Sequence, residues 1–311
     1  MEQECKAPEE TDMAEALEAA VAMLEDEVTA AKAVAAVREL AVCGYAPAMN
    51  ECGKLYLDGK HIPRDYKTAH EWFEAAAECG YDESQFFLGK AAFEGSGTRR
   101  DMADAFFWFL SAAEQGHPGA QYYVGRCYLE GKGTIKDEEE AHRWFSLSAS
   151  RGSPEAKVAT GDFLSSPRNP NPDYAEAVRH YRMASDMDYP LGHYKMGMMY
   201  YNGKGMPLNY ISAVKYFRKG AELEEPGSLY MLGVMYDKGQ GVEADKNSAI
   251  RYLTHAAKKG NTDAKTYLKG VSPNYGQQQD RDPDYEELNT PDVVSLPSEG
   301  KKGLFGRLFS K

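Results

Sequence analysis

The chain has 311 residues, with 36 lysines and arginines against 48 aspartates and glutamates, for a formal net charge of −12. That acidity disfavours unassisted binding to DNA, RNA or an anionic membrane surface. No apolar run reaches the roughly 18 residues that would read as a bilayer-spanning helix.

The first residues, MEQECKAPEETDM, lack the charged and apolar regions of a signal peptide, so the start reads as cytoplasmic. Residues 1–12 are polar and acidic, without periodicity, and are expected to be disordered. From Met13 to Val28 the run MAEALEAAVAMLEDEV is rich in helix formers, with Thr11 or Asp12 available as N-cap. Residues 13–43 are therefore expected to form a degenerate capping helix pair. Ten acids against one lysine up to position 28 suit a solvated outer face.

From Gly44 the residue types return every thirty-six positions. Gly53, Gly89, Gly125, Gly161, Gly197 and Gly233 form one column. Ala69, Ala105, Ala141, Ala177, Ala213 and Ala249 form another, and Asp65, Asp101, Asp137, Asp173 and Asp245 a third, with Asn209 in its remaining slot. A period of this length without insertions is the mark of a solenoid, whose units bury their apolar faces only by stacking. Residues 44–270 read as six such units and a terminal half-unit.

Within a unit, small and apolar residues four, seven and eight apart describe one face of a first helix, A, with the glycine column in its middle. Mid-helix glycine costs about 1 kcal/mol relative to alanine, which predicts a close backbone approach by a neighbouring helix. The segments EGSG, EGKG, NGKG and KGQG that follow lack the spacing and the GK[ST] of a phosphate loop, so they read as turns with positive φ. The aspartate column then N-caps a second helix, B. Its stripe, Ala69, Trp72, Phe73, Ala76 and Ala77 in one unit, predicts burial of one face, tryptophans included. The fourth unit replaces its glycine turn by SSPRNPNPD (Ser165–Asp173), at unchanged length.

Cys5, Cys43, Cys52, Cys79 and Cys127 show no CxxC and read as reduced thiols packed as small hydrophobes. The seven histidines (61, 70, 117, 142, 180, 193, 255) form no HExxH or metal-ligand spacing, and no GxSxG occurs. No enzyme, no metal and no cofactor are expected. Residues 271–300, rich in proline, glutamine and acid, are expected to be a disordered linker. Residues 301–311, KKGLFGRLFSK, carry four positive charges and no acid. Leu304, Phe305, Leu308 and Phe309 would share one side of a short helix, suited to a partner groove or to weak membrane contact.

The pattern small-x-x-x-large-Gly-x-x-Tyr-x-x-Gly-x-Gly, then Asp, then Ala-x-x-Trp/Tyr-Phe-x-x-Ala-Ala-x-x-Gly resembles the Sel-one-like repeat, a relative of the tetratricopeptide repeat. The resemblance covers residues 44–270. It implies an all-α, right-handed α-solenoid of helix-turn-helix repeats, acting as an adaptor or scaffold for a protein or peptide partner, without nucleic acid. One secreted branch of that family is linked to β-lactams and ties its helices with regularly spaced cysteine pairs. Here only Cys43 and Cys52 approach such a pair, at the wrong spacing, so that activity is not expected.

By the same resemblance the A helices line a concave face that holds the partner. On it, Lys54, Lys90 and Arg126 make a cationic ladder that continues into Met198 and Val234, beside Asn50, Tyr122, Tyr194 and Tyr230. An extended peptide with an acidic end and apolar side chains is the expected ligand. The alternative role is a membrane-peripheral adaptor tethered through Leu304–Phe309.

Overall fold

A computed structural model describes residues 10–271. Among the described residues there are fifteen α-helices, one short 3-10 turn and no strand. The A helices are α3 (Ala46–Asp58), α5 (Asp82–Glu94), α7 (Pro118–Glu130), α9 (Pro154–Ser165), α11 (Pro190–Asn202), α13 (Pro226–Lys238) and the terminal α15 (Thr262–Val271). The B helices are α4 (Tyr66–Glu78), α6 (Met102–Glu114), α8 (Glu138–Ser150), α10 (Tyr174–Asp186), α12 (Tyr210–Glu222) and α14 (Lys246–Lys258). Each helix packs on the next in the chain, which makes an all-α solenoid.

The leading pair is α1 (Glu10–Ala22) and α2 (Ala30–Val42). Residues 10–12, expected to be unstructured, already belong to α1. That helix ends at Ala22, well before Val28, because local side chains bind the backbone beyond it. The Val28 N–H donates to Asp26 Oδ1 at 3.0 Å, and Thr29 Oγ1 donates to the Met23 carbonyl at 2.8 Å.

The mid-helix glycines have a different partner from the backbone predicted. Beneath Gly53, Gly89, Gly125, Gly161 and Gly197 lie the buried rings of Phe73, Phe109, Phe145, Tyr181 and Phe217, and Leu253 lies beneath Gly233. A methyl carbon added at any of the six would stand 2.5–2.7 Å from that side chain. Helix B thus presses its largest core residue into a notch in helix A. Close backbone approach occurs instead at the second turn glycine. A carbon on Gly133 would sit 2.0 Å from the Met102 carbonyl oxygen, at the start of the preceding B helix. The tryptophans Trp72, Trp108 and Trp144 lie at the edge of the core, half-buried.

The aspartate column caps as expected: Asp137 Oδ1 accepts from the N–H groups of Glu139 and Glu140, both at 3.0 Å. The N–H of each such residue also closes the hairpin. Asp137 donates to the Tyr128 carbonyl at 2.9 Å, and in the proline-rich fourth unit Asp173 donates to Leu164 at 3.0 Å. There the A helix ends one residue early, on an extended Ser166 (φ −64°, ψ 136°), and Pro167 stands in the slot of the left-handed glycine that caps the other units. One further column was not foreseen. Gln85, Gln121 and Lys157 reach back to the carbonyls of Ala77, Ala113 and Ala149 near the ends of successive B helices.

Candidate functional site

The A helices approach one another in the C-terminal half, α9 meeting α11 and α11 meeting α13. This is what curvature toward the A layer produces. A groove between successive A helices therefore has the intervening B helix as its floor.

Two cavities open in that groove. The larger, of about 340 Å³, lies between α7 and α9 over α8, with Leu129, Phe145, Val158 and Phe163 among its apolar walls. The smaller, of about 250 Å³, lies between α3 and α5 over α4. Each of the ten residues lining the smaller one has its counterpart, two repeats on, in the lining of the larger. Leu57 answers to Leu129, His70 to His142, Phe73 to Phe145, and Lys90 to Asp162. They are one structural feature occurring twice.

In the repeat between them bulkier side chains stand in two of these positions. Phe106 stands where His70 and His142 stand, and packs edge-on against Tyr128 at 5.4 Å between centroids. Tyr123 stands where the larger cavity has Ala159 and stacks on Phe109 at 4.6 Å, as Phe87 in the smaller cavity stacks on Phe73 at 4.8 Å. In the larger cavity His142 stacks on Phe163 at 4.1 Å. Burial, reinforced by His180, holds its pKa below the ordinary histidine value, so the ring is neutral at neutral pH.

The expected ladder is present, but its charges are largely committed. Lys54 Nζ lies 2.9 Å from Glu51 and 2.8 Å from Glu83 of the next A helix. Burial opposes the Lys54 charge, and the hydrogen bonds to Glu83 and Glu51 outweigh it, raising its pKa. Arg126 pairs with Glu130 at 3.1 Å and lies 5.4 Å from the centres of the Phe93 and Tyr123 rings. Lys90 sits 5.9 Å above the Phe86 ring and lines the smaller cavity.

Of the remaining expected residues, Tyr122 lines the larger cavity. Tyr194 covers Gly227, and Tyr230 meets Tyr267 edge-on at 6.2 Å. Both are half-buried, as is Met198. Two expectations are corrected. Asn50 is fully buried and ties adjacent repeats, donating to Glu83 at 3.1 Å and accepting from Ser84 Oγ at 2.9 Å. Val234 is only 5% exposed, because α13 is packed by α11 as well as by its neighbours in sequence. Leu304, Phe305, Leu308 and Phe309 lie outside the described residues.

The cysteines divide. Cys52 and Cys127 are buried, and desolvation pushes both thiols up to about 11, so they stay protonated and unreactive at neutral pH. Cys43 and Cys79, expected to pack inside, are exposed at the ends of B-type helices. Among the described residues no group of three or more histidines, cysteines and carboxylates is placed to hold a metal ion, and no helix is long and apolar enough to cross a membrane.

The cavity walls Ala141, His142, Ala159 and Phe163 had not been singled out from the sequence as binding residues. The available signal was a departure from the repeat: histidine against phenylalanine in one column, alanine against tyrosine in another.

A family model described as Sel1 repeat matches residues 46–81, 82–117, 118–153, 163–189, 190–224 and 226–261. Among solved structures the chain is similar to c5321 of uropathogenic Escherichia coli, a protective antigen displaying an SLR fold. Identity is 27%, coverage 87% of this chain and 60% of that one, and the TM-score 0.66. It is also similar to a Sel1 repeat protein from Oxalobacter formigenes, at 28% identity over 70% of this chain and 89% of the other, with a TM-score of 0.65. The chain thus spans less than two thirds of the length of c5321. No curated protein matches it.

Proposed function

We propose that this chain, which belongs to the Sel1 repeat family, is a protein-interaction scaffold whose A-helix groove takes an extended segment of a partner. The observation that carries this reading is the pair of equivalent cavities two repeats apart. Four helix layers separate them, at most about 40 Å at 8–10 Å per layer. About a dozen extended residues bridge that distance. Two apolar side chains near the ends of such a segment would enter the cavities and supply most of the affinity by desolvation.

The ladder Lys54, Lys90 and Arg126, with Tyr122, Tyr194, Tyr230 and Met198, would flank the segment. Its charges are satisfied within the fold at Lys54 and Arg126. An acidic ligand must therefore displace carboxylates to use them, which makes charge a secondary determinant. The role is binding, with no chemistry on the ligand.

The test uses the fold's own alternatives. Ala159→Tyr installs the intervening repeat's Tyr123 over Phe145, and Ala91→Met installs the Met199 equivalent. Peptides selected from a random phage library on the wild-type chain should lose about tenfold or more in affinity for either variant. The triple variant Lys54→Glu/Lys90→Glu/Arg126→Glu should lose less. Equal affinity for wild type and both cavity variants, all melting alike, would rule the groove out.

A further inference from the structure

We propose that the last groove of the solenoid, between α13 and α15 over α14, takes a cationic side chain, lysine or arginine, of the partner segment. The proposal rests on the groove-binding reading above and adds the chemistry of one position in it.

The starting observation is a regularity that stops. Phe86, Tyr122, Tyr194 and Tyr230 occupy one column of the A helices. The first two rings are covered by the protein's own cation four residues on, Lys90 at 5.9 Å and Arg126 at 6.0 Å from the ring centres. On the intervening floor Tyr181 lies under Lys195 at 6.0 Å. For Tyr194 and Tyr230 the fourth residue on is Met198 and Val234. Among the described residues no lysine or arginine stands over either ring, or over Tyr267. The aromatic surface continues where the cations end.

Carboxylates take their place. Tyr230 and Tyr267 meet edge-on at 6.2 Å, both half-buried, and make a corner that packs with Ile250 on the buried Leu253 and Leu268. Asp237 of α13 accepts from the Tyr267 hydroxyl at 2.8 Å. Asp263 is exposed one turn before Tyr267, on the same face of α15. Neither carboxylate enters an ion pair among the described residues. Lys238 ends α13 without pairing to them, and Lys265 and Lys269 follow Asp263 and Tyr267 by two positions, about 200° around the helix. Burial and then Asp263 raise the pKa of Tyr230, and burial, Glu225 and Asp263 raise that of Tyr194. The negative field thus reaches both rings.

Ring faces and unpaired carboxylates together attract a guanidinium or ammonium group, and Ile250 offers an apolar bed for its stem. Six helix layers separate this groove from the larger cavity, at most about 60 Å at 8–10 Å per layer. About 18 extended residues bridge that distance.

The test starts from random peptides of about twenty residues, long enough for that span, selected by phage display on the full wild-type chain. The leading peptide is then made with each arginine replaced by citrulline, or each lysine by norleucine, which keeps the stem and removes the charge. One such replacement should weaken binding about tenfold. Asp263→Lys and Tyr230→Leu should each bind the parent peptide about tenfold more weakly and be indifferent to that replacement. Asp263→Glu and Tyr230→Phe, which keep the carboxylate and the ring, should bind as wild type does. Asp263 is exposed, so its reversal tests the site even where Tyr230→Leu unfolds the last repeat. A leading peptide without lysine or arginine, or one whose loss of charge weakens binding equally in wild type and Asp263→Lys, overturns the cationic site. Weakening of that peptide by Ala159→Tyr would then leave the groove reading standing, and indifference to every variant overturns both.

Discussion

Gly125 and Phe145 show how a costly residue is retained. The helical penalty of glycine, about 1 kcal/mol, is offset by the burial of a phenyl ring that no side chain at 125 would admit. Gly125→Val should therefore destabilise the fold by about 1–3 kcal/mol or more, and a melting temperature equal to wild type would refute the notch. Asp188 offers the converse case. It holds φ at 52° where every other unit but that of Glu224 (φ 58°) places glycine, and its exposed carboxylate stands 3.4 Å from Nε2 of the buried His193. Asp188→Asn, which tolerates the left-handed region better and keeps an oxygen beside His193, should then be neutral or stabilise by up to about 1 kcal/mol, measurable by urea denaturation. Lys157 combines both themes, since it is only 5% exposed and its Nζ donates to the Ala149 carbonyl at 2.6 Å. Burial lowers its pKa. Lys157→Gln keeps the bond, as Gln85 and Gln121 do, and removes the buried charge. It should be at least as stable as wild type, and Lys157→Met, which loses the side-chain bond while the Ala149 carbonyl keeps the Gly152 N–H at 3.1 Å, should change stability by no more than about 1 kcal/mol.

At the scale of elements, nearly every helix was legible from the sequence because each is set by local chemistry repeated in register. Small and apolar residues mark α7, the turn glycines end it, and Asp137 opens α8. Asp137→Ala should cost about 1 kcal/mol through loss of its cap, read from the same urea titration. The Ser165–Asp173 hairpin keeps its register despite three prolines, because the hydrogen bond from Asp173 to Leu164 survives. The cavities were not legible. Each forms from two A helices and a B helix at once, and is open or filled according to side-chain volumes in separate columns. Asn50 was misplaced for a related reason. A polar residue in a column of aromatics looks exposed until Glu83 and Ser84 of the next helix are seen to satisfy it.

For the whole molecule, burial couples stability to pH. His117, His142, His180, His193 and His255 all have pKa values lowered by burial, from an ordinary 6.5. Below pH 6.5 the unfolded chain binds protons that the folded one resists. Stability is accordingly complete above that value and is lost progressively as pH falls through it. The melting temperature should drop between pH 7 and about 5, before the carboxylates titrate, with proton uptake on unfolding. A flat profile there would contradict the buried assignments.

The proposed role of the solenoid turns on which of its faces a partner segment meets. The most direct measurement is an NMR titration of the alanine-methyl-labelled chain with a peptide selected on it. The account predicts shifts at Ala91, Ala141 and Ala159, which line the two cavities, and none at Ala103 and Ala175, exposed on the B helices. Shifts at Ala103 and Ala175 with Ala159 unmoved would place recognition on the opposite face and contradict it.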